Sequence, residues 1–228
     1  MCISNIPKIP GIDTCISLME QYEMLPNIRQ HSLVVARIAE LLARCLRERL
    51  PAGQAPDQDF QDFCVNGALL HDIAKTPCLK EGCDHAATGA EICQRHGYPE
   101  IAEVVAGHVI LRDFSPERYK QGLFEVREIV YYADKRVRHD AVVSLSERLE
   151  YIIENYGGDN ERVQRGIREN FRKCEELEGI LFSFLDFSPE QLIYRVDEYA
   201  RQSRLSGFSF GGDLPEQEGI SEEKKQVC

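Results

Sequence analysis

The sequence is poor in several features that mark common nucleotide and nucleic-acid proteins. It has no Gly-x-Gly-x-x-Gly turn and no Walker-type loop, which excludes the usual dinucleotide and P-loop sites. Positive charge is scarce: 27 Lys and Arg stand against 38 Asp and Glu, for a formal net charge of −11. That balance argues against general affinity for DNA or RNA, because neutralising a phosphate backbone takes clustered cations. It leaves room for a small phosphorylated substrate, since bound metal ions can supply positive charge locally. No apolar run approaches the ~18 residues of a membrane helix. The first ten residues are polar and broken by Pro7 and Pro10, so neither a membrane partner nor a signal peptide is expected. The nine cysteines are odd in number and form no Cys-x-x-Cys pair. We therefore expect free thiols, no disulfide framework and a reducing cytoplasm. Cys78 and Cys83, the closest pair, lack the second pair that a zinc knuckle needs.

What the sequence does have is helical periodicity almost throughout, with no sustained alternation of period two. With 43% hydrophobic and 29% charged residues it reads as globular. The pattern predicts a short helix from Asp13 to Tyr22 and a long one from Asn27 to Leu50. A third runs from Asp59 to Leu70, with Phe60, Phe63, Cys64 and Gly67 inward. A loop through Pro77 and Gly82 follows. Asp84 then caps a helix ending at Gly97, and Pro99 starts the next. After a polar connection over 112–121, a helix is predicted from Leu123 to Arg138, with Leu123, Val126, Val130 and Val137 buried. Ser144 and Glu147 form a capping box for a helix to Tyr156. An amphipathic stretch covers 159–185, and Ser188, Pro189 and Gln191 open the last helix. Residues 206–228 are read as a disordered tail. The expected organisation is an N-terminal extension (1–26), a helical core (27–140), accessory helices packed on it as a peripheral layer (141–205) and the tail.

There are only six histidines. His31 falls on one stripe with Val35, Ile38, Leu42 and Cys45. His71 and Asp72 end the apolar run Ala68-Leu69-Leu70. His108 shares a face with Ile101, Val104 and Val105. Asp134 sits in the middle of the stripe through Val126, Val130 and Val137. A buried unpaired carboxylate costs about several kcal/mol, so Asp134 needs a cation or a metal. Taken singly, each has an ordinary reading: a core histidine bonded to a carbonyl, a helix C-terminus, a salt bridge. Together, four inward groups on separate helices point to a metal. Imidazole with carboxylate suits Fe, Mn, Zn, Ni or Co rather than Ca. The absence of cysteine from the set argues against a structural zinc site.

The order His31, His71-Asp72, Asp134 resembles the signature of the HD superfamily of metal-dependent phosphohydrolases, over about residues 27–140. Leu69-Leu70-His71-Asp72-Ile73-Ala74-Lys75 is similar to its central motif. The resemblance implies an all-α HD-domain bundle. His85 and His108 fall where two-metal branches of the superfamily place two further ligands, with the central Asp bridging the ions. The implied ligand set is therefore His31, His71, Asp72, His85, His108 and Asp134, holding two divalent ions, Fe or Mn first, with Ni, Co, Zn or Mg also open. Within that branch the chain is similar to bacterial hydrolases that split diadenosine tetraphosphate symmetrically. Gly97-Tyr98-Pro99 is no sign of the cyclic di-GMP branch, because it precedes His108 and no His-His-Glu occurs.

The implied chemistry is attack of metal-activated water on a phosphoester or phosphoanhydride of a nucleotide or dinucleotide. Asp72 holds that water in register, and Lys75, one turn on, neutralises a phosphate oxygen or protonates the leaving group. Arg136 and Arg138 offer a guanidinium clamp for a second phosphate. The expected partner is a small phosphorylated substrate, with a homodimer left open. Two other readings share the ligands: a mixed-valent di-iron oxygenase of the same superfamily, and a non-catalytic nucleotide-binding module.

Overall fold

Prolines at helix starts, capping side chains and a few left-handed turns cut the chain into segments whose apolar faces meet in one core. The computed structural model describes residues 8–210. The first helix, α1 (Ile12–Gln21), buries Cys15, Leu18 and Met19. The longest, α2 (Pro26–Arg49), starts with Pro26 in its first turn, where a missing N–H costs no hydrogen bond. It buries His31, Val35, Ile38, Leu42 and Cys45 as one face. Next come α3 (Gln58–Leu70), capped by the Asp57 side chain, α4 (Lys75–Glu81), α5 (His85–Arg95), capped by Asp84, and α6 (Pro99–Gly107). A short α7 (Pro116–Tyr119) leads to α8 (Val126–Lys135). The hairpin β1 (Val137–Arg138) and β2 (Ala141–Val142) pairs Val137 with Val142 and turns at His139, whose φ is 57°. Beyond it lie α9 (Leu145–Ile152), a π turn (Ile153–Gly157), α10 (Glu161–Phe182), a 3-10 turn (Pro189–Gln191) and α11 (Leu192–Ala200). The architecture is all-α, as expected. No helix among the described residues is long and apolar enough to cross a membrane.

The centre of the fold is α2 packed on α3, with α8 against both and α6 against α3 and α8. Two glycines set the closest approaches. A Cβ on Gly67 would meet Val104 Cγ1 at 2.8 Å, and one on Gly89 would meet Val105 Cγ1 at 2.8 Å. Without side chains at these points, α6 lies directly on α3 and α5. One hydrophobic cluster runs from Cys15 to Leu205 and takes in Phe171, Cys174, Leu177 and Leu181 of α10.

Several boundaries differ from the sequence expectation. The segment with Pro77 is helical rather than a loop. Pro77 sits in the first turn of α4, where no intrahelical bond needs its N–H. Helix α8 starts at Val126, because Glu125 and Glu128 form a capping box, and Leu123 is left 44% exposed rather than buried. It ends before Val137, which is buried on β1. Cys78 and Cys83 form a disulfide, contrary to the expectation of free thiols. The left-handed Gly82 ends α4 and folds the chain back, bringing the two Cα atoms to 4.6 Å. Cys15, Cys45, Cys64, Cys93 and Cys174 are free and buried. The start of the expected tail is held in place. Arg37 of α2 donates to the carbonyls of Leu205 and Phe208, and the Phe210 N–H donates to Gln30. The rest of the expected tail, from residue 211, lies outside the described residues, as do residues 1–7.

Candidate metal centre

The site forms where several helix ends converge. His31 comes from the second turn of α2, and Asp134 from the last turn of α8. His71 and His108 directly follow the last residues of α3 and α6, and His85 opens α5. His71 Nδ1–H donates to the Ala68 carbonyl at 2.7 Å, and His108 Nδ1–H donates to the Val105 carbonyl at 2.6 Å. His31 Nδ1–H donates to the His139 carbonyl at 2.8 Å, across the hairpin turn. A carbonyl can only accept, so in each of the three rings Nδ1 carries a proton and Nε2 turns into the site. That is the orientation a ligating imidazole needs.

The Nε2 atoms gather on Asp72, which is 1% exposed. Its Oδ2 lies 3.4 Å from His71 Nε2 and 4.0 Å from His31 Nε2. Its Oδ1 lies 3.5 Å from His85 Nε2 and 3.6 Å from His108 Nε2. Asp134 Oδ1 closes the first group, 3.1 Å from His31 Nε2 and 3.7 Å from His71 Nε2. The donors thus form two triads that share Asp72, His31–His71–Asp72 and Asp72–His85–His108. Within each triad, ligand atoms lie within 4.8 Å of one another.

Two cations lean on the carboxylates. Lys75 Nζ donates to Asp72 Oδ2 at 2.7 Å, and Lys135 Nζ donates to Asp134 Oδ2 at 2.7 Å and to the His108 carbonyl. Burial alone would push both carboxyls up. For Asp72 the charges of Lys75 and His71 outweigh it, and for Asp134 the charge of Lys135 and the contacts with the His31 and His71 rings do, so both stay well below the usual carboxylate range. Burial lowers His31 and takes His85 down to about 4. His71 is also opposed by burial, yet the charge of Asp72 and its contacts with Asp134 raise it to about 9.

The arrangement fits a divalent cation. His71 Nε2 and Asp72 Oδ1 are buried without any hydrogen-bond partner among the described residues. An unpaired buried polar atom costs about 1–3 kcal/mol, and here two of them face the common centre. The donors are imidazole nitrogens and carboxylate oxygens, the set that suits Fe, Mn, Zn, Co or Ni.

Arg136 does not serve as a clamp. It is buried, with Nε donating to the Val143 carbonyl, Nη1 to Tyr132 and Glu178, and Nη2 to the Pro189 carbonyl. Arg138 is exposed and lies over the Tyr151 ring. The rings of His139 and His96 join neither triad: the His139 carbonyl orients His31, and His96 bonds to the Tyr22 hydroxyl. The sequence reading passed over Arg148, which comes within 4.0 Å of Asp134. No sequence signal marks Arg148, because only the hairpin brings it back to the site.

A bundle whose helix ends carry two histidine–aspartate triads defines a class of helical metal-site domains. The HD domain family model matches residues 28–139, and that stretch of the chain is similar to an HD domain. HD domains bind divalent metal ions, and the family consists mostly of metal-dependent hydrolases. All six of the gathered histidines and aspartates lie inside the match. The comparisons with curated proteins and with solved structures give no match.

Proposed function

We propose that the chain is a metal-dependent phosphohydrolase that cleaves a phosphoester or phosphoanhydride of a nucleotide or dinucleotide. The single observation that carries this reading is Asp72, whose two oxygens each face a separate group of imidazole nitrogens. That placement suits a bridge between two divalent ions, Fe or Mn by ligand type. Such an ion pair polarises a phosphoryl oxygen and brings the pKa of a bound water toward neutrality. His31, His71 and Asp134 would hold one ion, His85 and His108 the other, and Asp72 would contribute an oxygen to each. Lys75, with 31% of its side chain exposed, reaches from Asp72 toward solvent. Its ammonium offsets charge on a phosphate oxygen or protonates the departing oxygen. The sequence is similar to that of hydrolases that split diadenosine tetraphosphate symmetrically, and such a substrate heads the panel to be tested.

The test is phosphate release across nucleotides and dinucleoside polyphosphates, with the protein loaded in turn with Mn, Fe, Co and Ni. Turnover of at least one of them is expected. Metal binding without phosphate release from any sinks the proposal. Oxygen uptake by the iron-loaded protein in the same samples would put a di-iron oxygenase in its place.

A further inference from the structure

Helix α9 lies outside the HD span, yet it returns to the metal centre with Arg148. The β1–β2 hairpin reverses the chain after α8, and the Ser144–Glu147 capping box fixes where α9 begins. Arg148 Nη2 then stands 4.0 Å from Asp134 Oδ1, beyond hydrogen-bond length, with the side chain 11% exposed. Its Nε is buried and has no hydrogen-bond partner among the described residues. Arg136 and Arg118 look different, although Arg37 of α2 also leaves a buried Nε unpaired. Arg136 spends Nε, Nη1 and Nη2 on protein acceptors, and Arg118 spends both terminal nitrogens on Glu128 and the Leu123 carbonyl. Arg148 instead keeps the edge carrying Nε–H and Nη2–H unspent beside Asp134. That edge is a planar fork whose spacing matches two oxygens of one phosphate. The Tyr151 ring, 5.4 Å from the guanidinium, holds its plane. In a chain of net charge −11, Lys75 and Arg148 make the surroundings of this one centre cationic.

We propose that Arg148 is a phosphate-binding residue, its Nε–Nη2 edge taking two non-bridging oxygens of the phosphoryl group seated at the His31–Asp134 end of the centre. The inference rests on the phosphohydrolase reading and adds to it a contact from outside the HD domain. The acceptor is a tetrahedral oxyanion, and inorganic phosphate is therefore a sufficient probe.

The experiment is calorimetric titration of the metal-loaded protein with inorganic phosphate, with metal content measured on the same samples. Arg148→Gln should lose about tenfold or more in phosphate affinity, the scale of a charge-assisted hydrogen bond, at unchanged metal content. In turnover the loss should fall on KM at least as heavily as on kcat. Arg148→Lys keeps the charge without the fork and should recover only a small part. Phosphate affinity equal to wild type in either variant overturns the proposal. So does a loss of metal that accounts for the lost affinity, which would make Arg148 a support for Asp134. A wild type that turns over while Arg148→Gln binds phosphate normally sinks this inference alone. A wild type that loads with metal and releases no phosphate from any nucleotide sinks the underlying reading.

Discussion

The two sides of the metal centre meet at Asp72 and differ in what they bring to it. On the Oδ2 side stand His31, His71 and a second carboxylate, Asp134, with Lys135 fastening the far oxygen of that carboxylate. On the Oδ1 side stand only His85 and His108, whose Nε2 atoms lie 3.2 Å apart, and the His85 side chain is 17% exposed. The first side therefore offers a cation one more carboxylate ligand than the second, which adds only imidazoles to the shared Asp72. The first side should bind its ion tightly and the second should be the one that empties. The largest effect should come from the residue both sides share. Asp72→Asn keeps the shape of the side chain and removes its charge. It should lose both ions and all measurable turnover, by elemental analysis and phosphate release. A variant that keeps one tightly bound ion would show that the first side does not depend on the bridge.

The next effect separates the sides. His85→Ala should leave about one ion per chain and slow turnover about a thousandfold, as loss of several kcal/mol of charge stabilisation requires. Titration of the wild type with a chelator should likewise remove the ions in two steps. Simultaneous release of both would break the comparison.

Lys75 sharpens it from another direction. Its ammonium touches the Asp72 oxygen on the better-supplied side, but it is no ligand. Lys75→Ala should keep full metal content and lose about a hundredfold in rate, the scale of one positioned acid or electrostatic group. Metal loss in parallel with rate would make Lys75 a support of the site, and near-normal turnover would leave it no role.

Much of this was legible in the sequence, for physical reasons. A long helix with one polar residue on its apolar face announces that residue, and His31 and Asp134 stand out in that way. For His71 and His108 the dull reading is also true: each ring does bond a carbonyl at its helix end. That bond is what frees Nε2, so the two readings are one. Contacts between distant segments were not legible. Arg136 looks like any charge in a last helical turn until Glu178, 42 residues on, is seen to bind it. Arg148 reads as a surface residue of an amphipathic helix until the hairpin returns it to Asp134. Pro77 hid α4, because a proline in a first turn and a proline in a loop leave the same local trace. The Cys78–Cys83 bridge depends on the left-handed turn at Gly82, which spacing alone does not reveal.

The smallest effect tests whether the weaker side is held by packing. Gly89 lies one turn beyond His85 on α5, and Val105, whose carbonyl anchors His108, faces it from α6. In Gly89→Ala the new Cβ would meet Val105 Cγ1 at 2.8 Å and Ile73 Cγ2 at 3.4 Å. Alanine favours a helix over glycine by about 1 kcal/mol, but crowding a packed contact costs about 1–3 kcal/mol, so the net change should be a small destabilisation. The two helices relieve the contact by moving apart, and that separates His85 from His108 without touching His31, His71 or Asp134. The expected result is weaker binding of the second ion only, read as an earlier first step in the chelator titration, with the later step unmoved. Adding Val105→Ala removes the clashing methyl and should restore that step while itself costing some core stability. If Gly89→Ala instead weakens both ions equally, the two sides load as one unit and the contrast drawn at Asp72 fails. If it changes neither, the spacing of His85 and His108 is set by the ion rather than by the close packing of α5 on α6.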